Sequence, residues 1–192
     1  MRRTFGIALS VLSIVGVNLI PVEMFLNRSF SASSAFAYFA VETAVGIILT
    51  AMAFLLIGRG TDSHKRRETL KGYLVFSIGF WSASVVFLFA FVHLILRSAP
   101  DLDALLSAIP TMAGFEVLEV AGLLLVFGTA AGRSTKILDP AMSRTAVLFL
   151  SVFVGIFAAA ISDGYFVVPF IFLKTLADAG AVLSAARKVA VV

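Results

Sequence analysis

Six apolar blocks, each long enough to cross a bilayer and divided only by short polar breaks, constrain this chain more than any other feature. A helix that spans a membrane needs roughly 17–25 predominantly apolar residues. The blocks run approximately over 4–26, 35–57, 73–96, 109–131, 145–162 and 165–186. Hydrophobic residues make up 60% of the chain, against roughly 45–50% in soluble domains, and the mean hydropathy is +1.06. The excess sits in the blocks rather than being spread along the chain. The expected architecture is therefore all-α: a polytopic membrane protein with a single domain over 1–192, built as a bundle of six transmembrane helices. No break is long enough for a soluble domain, so any site lies in the membrane or at its rim.

The breaks have their own chemistry. "NRSFSASS" is polar and small, and "GRGTDSHKRRETLKG" is charged and flanked by glycines. "RSAPDLDALLSAIP" carries two prolines and has room for a short interfacial helix, and "GRSTKILDPAMSR" contains Pro140. "SDG" at 162–164 reads as a tight turn that makes an antiparallel hairpin of the last two helices. The first apolar run exceeds the roughly 7–15 residues of a signal-peptide core, so it is read as a retained span.

Basic residues orient the bundle. With six spans, Arg2, Arg3, Arg59, Lys65, Arg66, Arg67, Lys71, Arg133, Lys136, Arg144, Arg187 and Lys188 fall on one side. The other side has only Arg28 and Arg97, and Lys174 lies inside a span. Both termini are then cytoplasmic, in the inner (plasma) membrane of a prokaryote. The net charge of +4 is a topology signal, with no nucleic-acid partner implied. The partner is the lipid bilayer, with a homo-oligomer or a membrane-protein partner compatible with the small size. Cysteine is absent, which excludes disulfides, thiolate chemistry and Cys-ligated metals.

The apolar blocks hold ionisable residues that a bilayer makes expensive, at roughly 2.5–3.5 kcal/mol for each charge near the centre on insertion scales. Glu42 falls in the second span, His93 near the outer end of the third, Glu116 and Glu119 in the fourth, and Lys174 and Asp178 in the sixth. Glu116 and Glu119 share a helix face, as do Lys174 and Asp178. Counting about 1.5 Å per residue puts most of these in the outer half of the membrane. Such groups face the bundle interior and pair with one another. One polar cluster is expected, of Glu42, Glu116, Glu119 and Lys174, with His93 above and Asp178 below. Lys174 can neutralise one of three glutamates. The other two either carry protons, as desolvation and like-charge repulsion favour, or hold a cation. The bland alternative is neutral acids bonded to hydroxyls and backbone.

Other signals are weaker. A histidine with three carboxylates can ligate a metal, but no spacing such as H-E-x-x-H is present, so the metal question stays open and no cofactor is predicted. "GTAAG", Gly128 to Gly132, is a small-xxx-small face for close helix contact. Asn18 and Pro21 in "VNLIP", and Pro169 in "VVPFIF", can kink a helix and free a carbonyl. A kink at Pro169 would help shape the cluster around Lys174. No serine-hydrolase motif is present.

The stretches "VNLIPVEMF", "YFAVETAVGI", "FSIGFWSASVVFLFAFVHLIL" and "LKTLADAG", in that order, resemble a family of uncharacterised prokaryotic multi-pass membrane proteins catalogued only as a domain of unknown function. The resemblance marks Asn18, Pro21, Tyr38, Glu42, His93, Lys174, Thr175 and Asp178 as positions to watch, and it implies no chemistry. The leading functional expectation is a small transporter or channel-like protein for protons, a small cation or a polar solute. Glu42, Glu116 and Glu119 would bind or relay the charge, with Lys174 and Asp178 completing the site. His93 would be an outer gate or proton acceptor, being the side chain that changes charge near neutral pH. The alternatives are an interaction or assembly subunit, and an intramembrane enzyme acting on a lipid or quinone.

Overall fold

The computed structural model describes residues 2–27, 31–57, 63–97, 99–127, 134–159 and 167–190. All regular structure among them is helical. The long helices are α1 (Arg2–Leu26), α2 (Ala32–Ile57), α3 (Ser63–Phe91), α4 (Leu102–Phe127), α5 (Leu138–Ala159) and α6 (Val167–Ala190). A π-helical turn, Val92–Leu96, extends α3, and a 3-10 turn, Ser134–Ile137, leads into α5. Five helices, α1 to α4 and α6, are long and apolar enough to cross a membrane. The sixth, α5, has 22 residues, or about 33 Å at 1.5 Å per residue.

The burial pattern inverts that of a soluble bundle. Leu12, Val75, Val86, Val117 and Phe172 are exposed, whereas Ser10, Ser13, Glu42, Glu116, Lys174 and Asp178 are buried. Large apolar side chains on the outside and ionisable ones inside are the arrangement a lipid solvent selects. The chain is an integral membrane protein.

Several helices start earlier than hydropathy alone predicts, because capping rather than apolarity decides where they begin. Ser31 Oγ accepts the Ser34 N–H at 3.1 Å, so α2 begins at Ala32 and not at residue 35. Asp101 Oδ1 accepts the Ala104 N–H at 3.0 Å and starts α4 at Leu102, seven residues before the expected 109. The expected separate interfacial helix is therefore the first turns of α4, which runs on through Pro110. The Asp101 N–H donates to Ser34 Oγ at 2.9 Å and ties the starts of α2 and α4 together. At the other end of the bundle α3 starts at Ser63, so "HKRRETLK" is helical and not a loop. That end carries most of the basic residues and is called the basic end below. Pro169 falls in the first turn of α6, where a missing N–H costs little, and the helix runs on unbroken from Val167 past Lys174. The Gly128–Gly132 stretch, the 162–164 turn, Arg28, Arg59 and Arg133 lie outside the described residues.

Helix α1 packs chiefly on α4, and α2 lies against α3, α4 and α5. The α1–α4 contact is close because Gly6, Ser10 and Gly122 face each other. A Cβ on Gly122 would stand 2.3 Å from Ser10 Oγ and 2.6 Å from the Gly6 carbonyl oxygen. Two apolar clusters fill the bundle. One, towards the start of α2, contains Phe36, Phe39, Phe91, Met112 and Phe170. The other, towards the basic end, contains Ile47, Phe54, Tyr73, Leu123 and Phe127. On α2, α4, α5 and α6 the buried charged positions fall between the two.

The α1–α4 contact makes a prediction. Gly122→Ala should cost about 1–3 kcal/mol through overpacking, read as a lower unfolding temperature in detergent. Gly180→Ala, where an added Cβ meets nothing within 4 Å, should be neutral or slightly stabilising. Equal behaviour of the two variants would contradict the close crossing.

Candidate functional site: a buried ion network

The charged layer is organised by a residue expected elsewhere. Arg144, assigned from the sequence to a basic loop, lies on the second turn of α5, and its side chain is only 11% exposed. The correction follows from the helix start. The expected span began at Thr145, but α5 begins at Leu138, with Asp139 and Pro140 in its first turn. Proline there is a helix-start signal, and it was the signal available for finding Arg144.

The guanidinium fork of Arg144 gathers carboxylates from two other helices. Its Nη2 donates to Glu42 Oε1 at 2.6 Å and Glu116 Oε1 at 2.9 Å. Its Nη1 donates to Glu119 Oε2 at 2.6 Å and makes a longer contact, 3.5 Å, to Glu116 Oε2. Nε lies 3.9 Å from Asp178 Oδ2. A planar donor set that grips several acceptors at once is what distinguishes arginine from lysine in such places.

Lys174 forms the second hub. Its ammonium donates to Asp178 Oδ2 at 2.8 Å, Glu42 Oε1 at 3.1 Å and Asn18 Oδ1 at 3.2 Å. The nitrogen also sits 4.8 Å from the centre of the Phe39 ring, within cation–π range. Glu42 Oε1 is shared between Arg144 and Lys174 and links the hubs. Lys174 is thus not the lone buried cation that charge counting assumed. Among the described residues, four carboxylates face two cations, which leaves a formal charge of −2 when all are ionised.

The surroundings position these groups. Asn18 donates its amide to the Ile14 carbonyl at 2.8 Å, which turns Oδ1 towards Lys174. Pro21 has no N–H to offer the Val17 carbonyl one turn earlier, and the Tyr38 hydroxyl takes that place at 3.0 Å. Gly46 leaves room for Glu116, since a Cβ there would stand 2.9 Å from Glu116 Oε2. Neither Asn18 as a network member nor Gly46 was identified from the sequence.

Glu42, Glu116, Glu119, Lys174 and Asp178 thus meet in one network. His93 does not join it. It is exposed in the π-helical turn, stacked on Phe89 with ring centroids 4.4 Å apart. Because α4 starts early, Glu116 and Glu119 lie about 21 and 26 Å along it, counted from Leu102. Among the described residues, no group of three His, Cys, Asp or Glu side chains is arranged to hold a metal ion. Comparisons with known proteins add no identity: no protein-family model, curated protein or solved structure matches the chain.

Removing one side of a buried ion pair typically costs about 3–5 kcal/mol, because the partner charge is left uncompensated. Arg144→Met should therefore lower the unfolding temperature in detergent sharply. Adding Glu116→Gln and Glu119→Gln to it should recover part of the loss. An unchanged unfolding temperature in Arg144→Met would contradict the hub role.

Proposed function

We propose that this protein carries protons across its membrane through the buried network, alone or coupled to a small cation or polar solute. The observation that carries the reading is the charge imbalance. Six ionisable side chains are held together in the interior, and their four carboxylates outnumber the two cations. A formal −2 in a low-dielectric layer is neutralised by binding protons or cations, and groups that must bind protons to be stable there can also release them. The short links between hubs offer a route. Arg144 touches Glu119, Glu116 and Glu42, and Glu42 touches Lys174, which touches Asp178.

A second reading has its own support. The same ion pairs join α2, α4, α5 and α6, so the network could serve only to hold helices together in an assembly subunit. Flux measurements separate the two. Liposomes containing the protein should dissipate an imposed pH gradient, and Glu42→Gln and Glu116→Gln, if folded, should slow that at least about tenfold. Wild-type liposomes that pass neither protons nor any tested cation would overturn the transport reading in favour of the assembly role.

A further inference from the structure

Above the network, away from the basic end, the interior is closed by aromatic rings. Phe36 meets Phe91 edge-on at 5.5 Å between centroids and Phe170 at 5.1 Å. Phe39 lies 5.7 Å from Phe170 and covers Lys174 from above. Val17, Ala108 and Met112 are buried in the same cluster. Among the described residues, this apolar cluster stands between the charges and that end of the bundle.

The other side differs. A cleft between α2, α4 and α5 is lined by Thr43, Gly46, Thr50, Glu119, Arg144 and Thr145, among others. It admits a water-sized sphere, with about 10 Å³ of room for the centre of one, close to the minimum for a single water. Thr43, Gly46 and Thr50 recur at helical spacing, so they form one stripe of α2 leading from the network towards the basic end. Only two of the network's six charged side chains, Glu119 and Arg144, reach this cleft.

Distance and hydrogen bonding both favour hydration here. Lys136 and Asp139 form an ion pair at 3.7 Å and are each about half exposed, which marks a polar surface. Arg144 is five residues beyond Asp139, about 8 Å deeper along the helix. Behind the cleft wall, the Tyr73 hydroxyl faces Thr50 and Ser77. Its best-oriented acceptor, the Ile47 carbonyl, is a long 3.5 Å away. Ser77 Oγ is buried without a well-formed hydrogen bond. A buried hydroxyl short of a well-formed hydrogen bond, as Ser77 is here, is a group that ordered water satisfies.

We infer that this cleft is a one-sided water port through which protons reach the network from the basic end, with Glu119 as the first acceptor and the phenylalanine cluster as the seal at the opposite end. The port rests on the proton-transport reading for its purpose, but its accessibility is a separate property. The port also narrows what can pass: room for about one water, next to carboxylates already held by a guanidinium, suits a proton and excludes Mg²⁺ or Ca²⁺ with its shell of about six or more oxygen ligands.

The absence of cysteine permits a direct test. Thr50→Cys and Thr145→Cys would be made singly, with exposed Lys136→Cys as the control for orientation and folding. Ala108→Cys would be placed within the aromatic cluster. Silver ion, a thiol-reactive and membrane-impermeant cation no larger than a water molecule, is then applied in chloride-free buffer to either face of oriented vesicles. Thr50→Cys and Thr145→Cys should label only from the face that labels Lys136→Cys, and Ala108→Cys from neither. Labelling of Ala108→Cys from the opposite face, or no labelling of Thr50→Cys and Thr145→Cys from the basic face while Lys136→Cys reacts, would overturn the port. In flux assays, labelled Thr145→Cys should lose at least about tenfold of its proton flux. Labelling in a protein that shows no flux at all would leave the port standing and sink transport instead.

Discussion

The guanidinium of Arg144 is the contact around which the rest of this molecule is arranged. One planar group receives carboxylates from α2 and α4 at hydrogen-bonding distance and stands beside a carboxylate of α6. In water such pairs contribute little, because solvent screens them and side-chain entropy opposes them. In a lipid-shielded interior the balance changes. The acids cannot be left there alone, and the arginine cannot be left there without them. The network therefore fixes the rotation of four helices about their own axes, since each must turn its charged face inward. Bidentate geometry matters here, because an ammonium in the same place could not grip Glu42, Glu116 and Glu119 from fixed directions.

The layer is bounded by what lies on either side of it and by what is missing beside it. Aromatic packing closes one side, while threonines and a glycine stripe border the other. Small residues do specific work in this setting. Gly122 and Gly6 let α1 approach α4, and Gly46 makes space for the Glu116 carboxylate. Pro21 gives up a backbone hydrogen bond, and the Tyr38 hydroxyl fills the gap. Lipid offers no hydrogen bonds to an orphaned carbonyl, so the proline of α1 and the tyrosine of α2 work as a pair.

Much of this was legible in the residues, and the parts that were not share a cause. Hydropathy alone is enough to mark six helices, because the lipid solvent leaves long apolar runs as its imprint. Glu42, Glu116, Glu119, Lys174 and Asp178 stand out because a charge in an apolar run is conspicuous. Arg144 does not, because it borders a break that already contains Arg133 and Lys136, and a basic residue near a span edge reads as topology. Its true position depends on where α5 starts, which Asp139 and Pro140 in the first turn signal and hydropathy does not. The same applies to α4, whose start is fixed by the Asp101 cap. Asn18 and Gly46 were illegible as site residues because their roles depend on what faces them from α6 and α4. His93 was conspicuous for its chemistry, yet the π-helical turn leaves it exposed.

The central claim is that four buried carboxylates against two cations leave a charge deficit that bound protons make up. Infrared spectroscopy of the purified, bilayer-embedded protein at neutral pH tests this directly, because a protonated carboxyl has a carbonyl stretch distinct from that of a carboxylate. The account predicts protonated-carboxyl absorption equivalent to about two groups, slow to shift on transfer to deuterated water and reduced in Glu→Gln variants of the network. A spectrum with every network carboxylate ionised at neutral pH would contradict it.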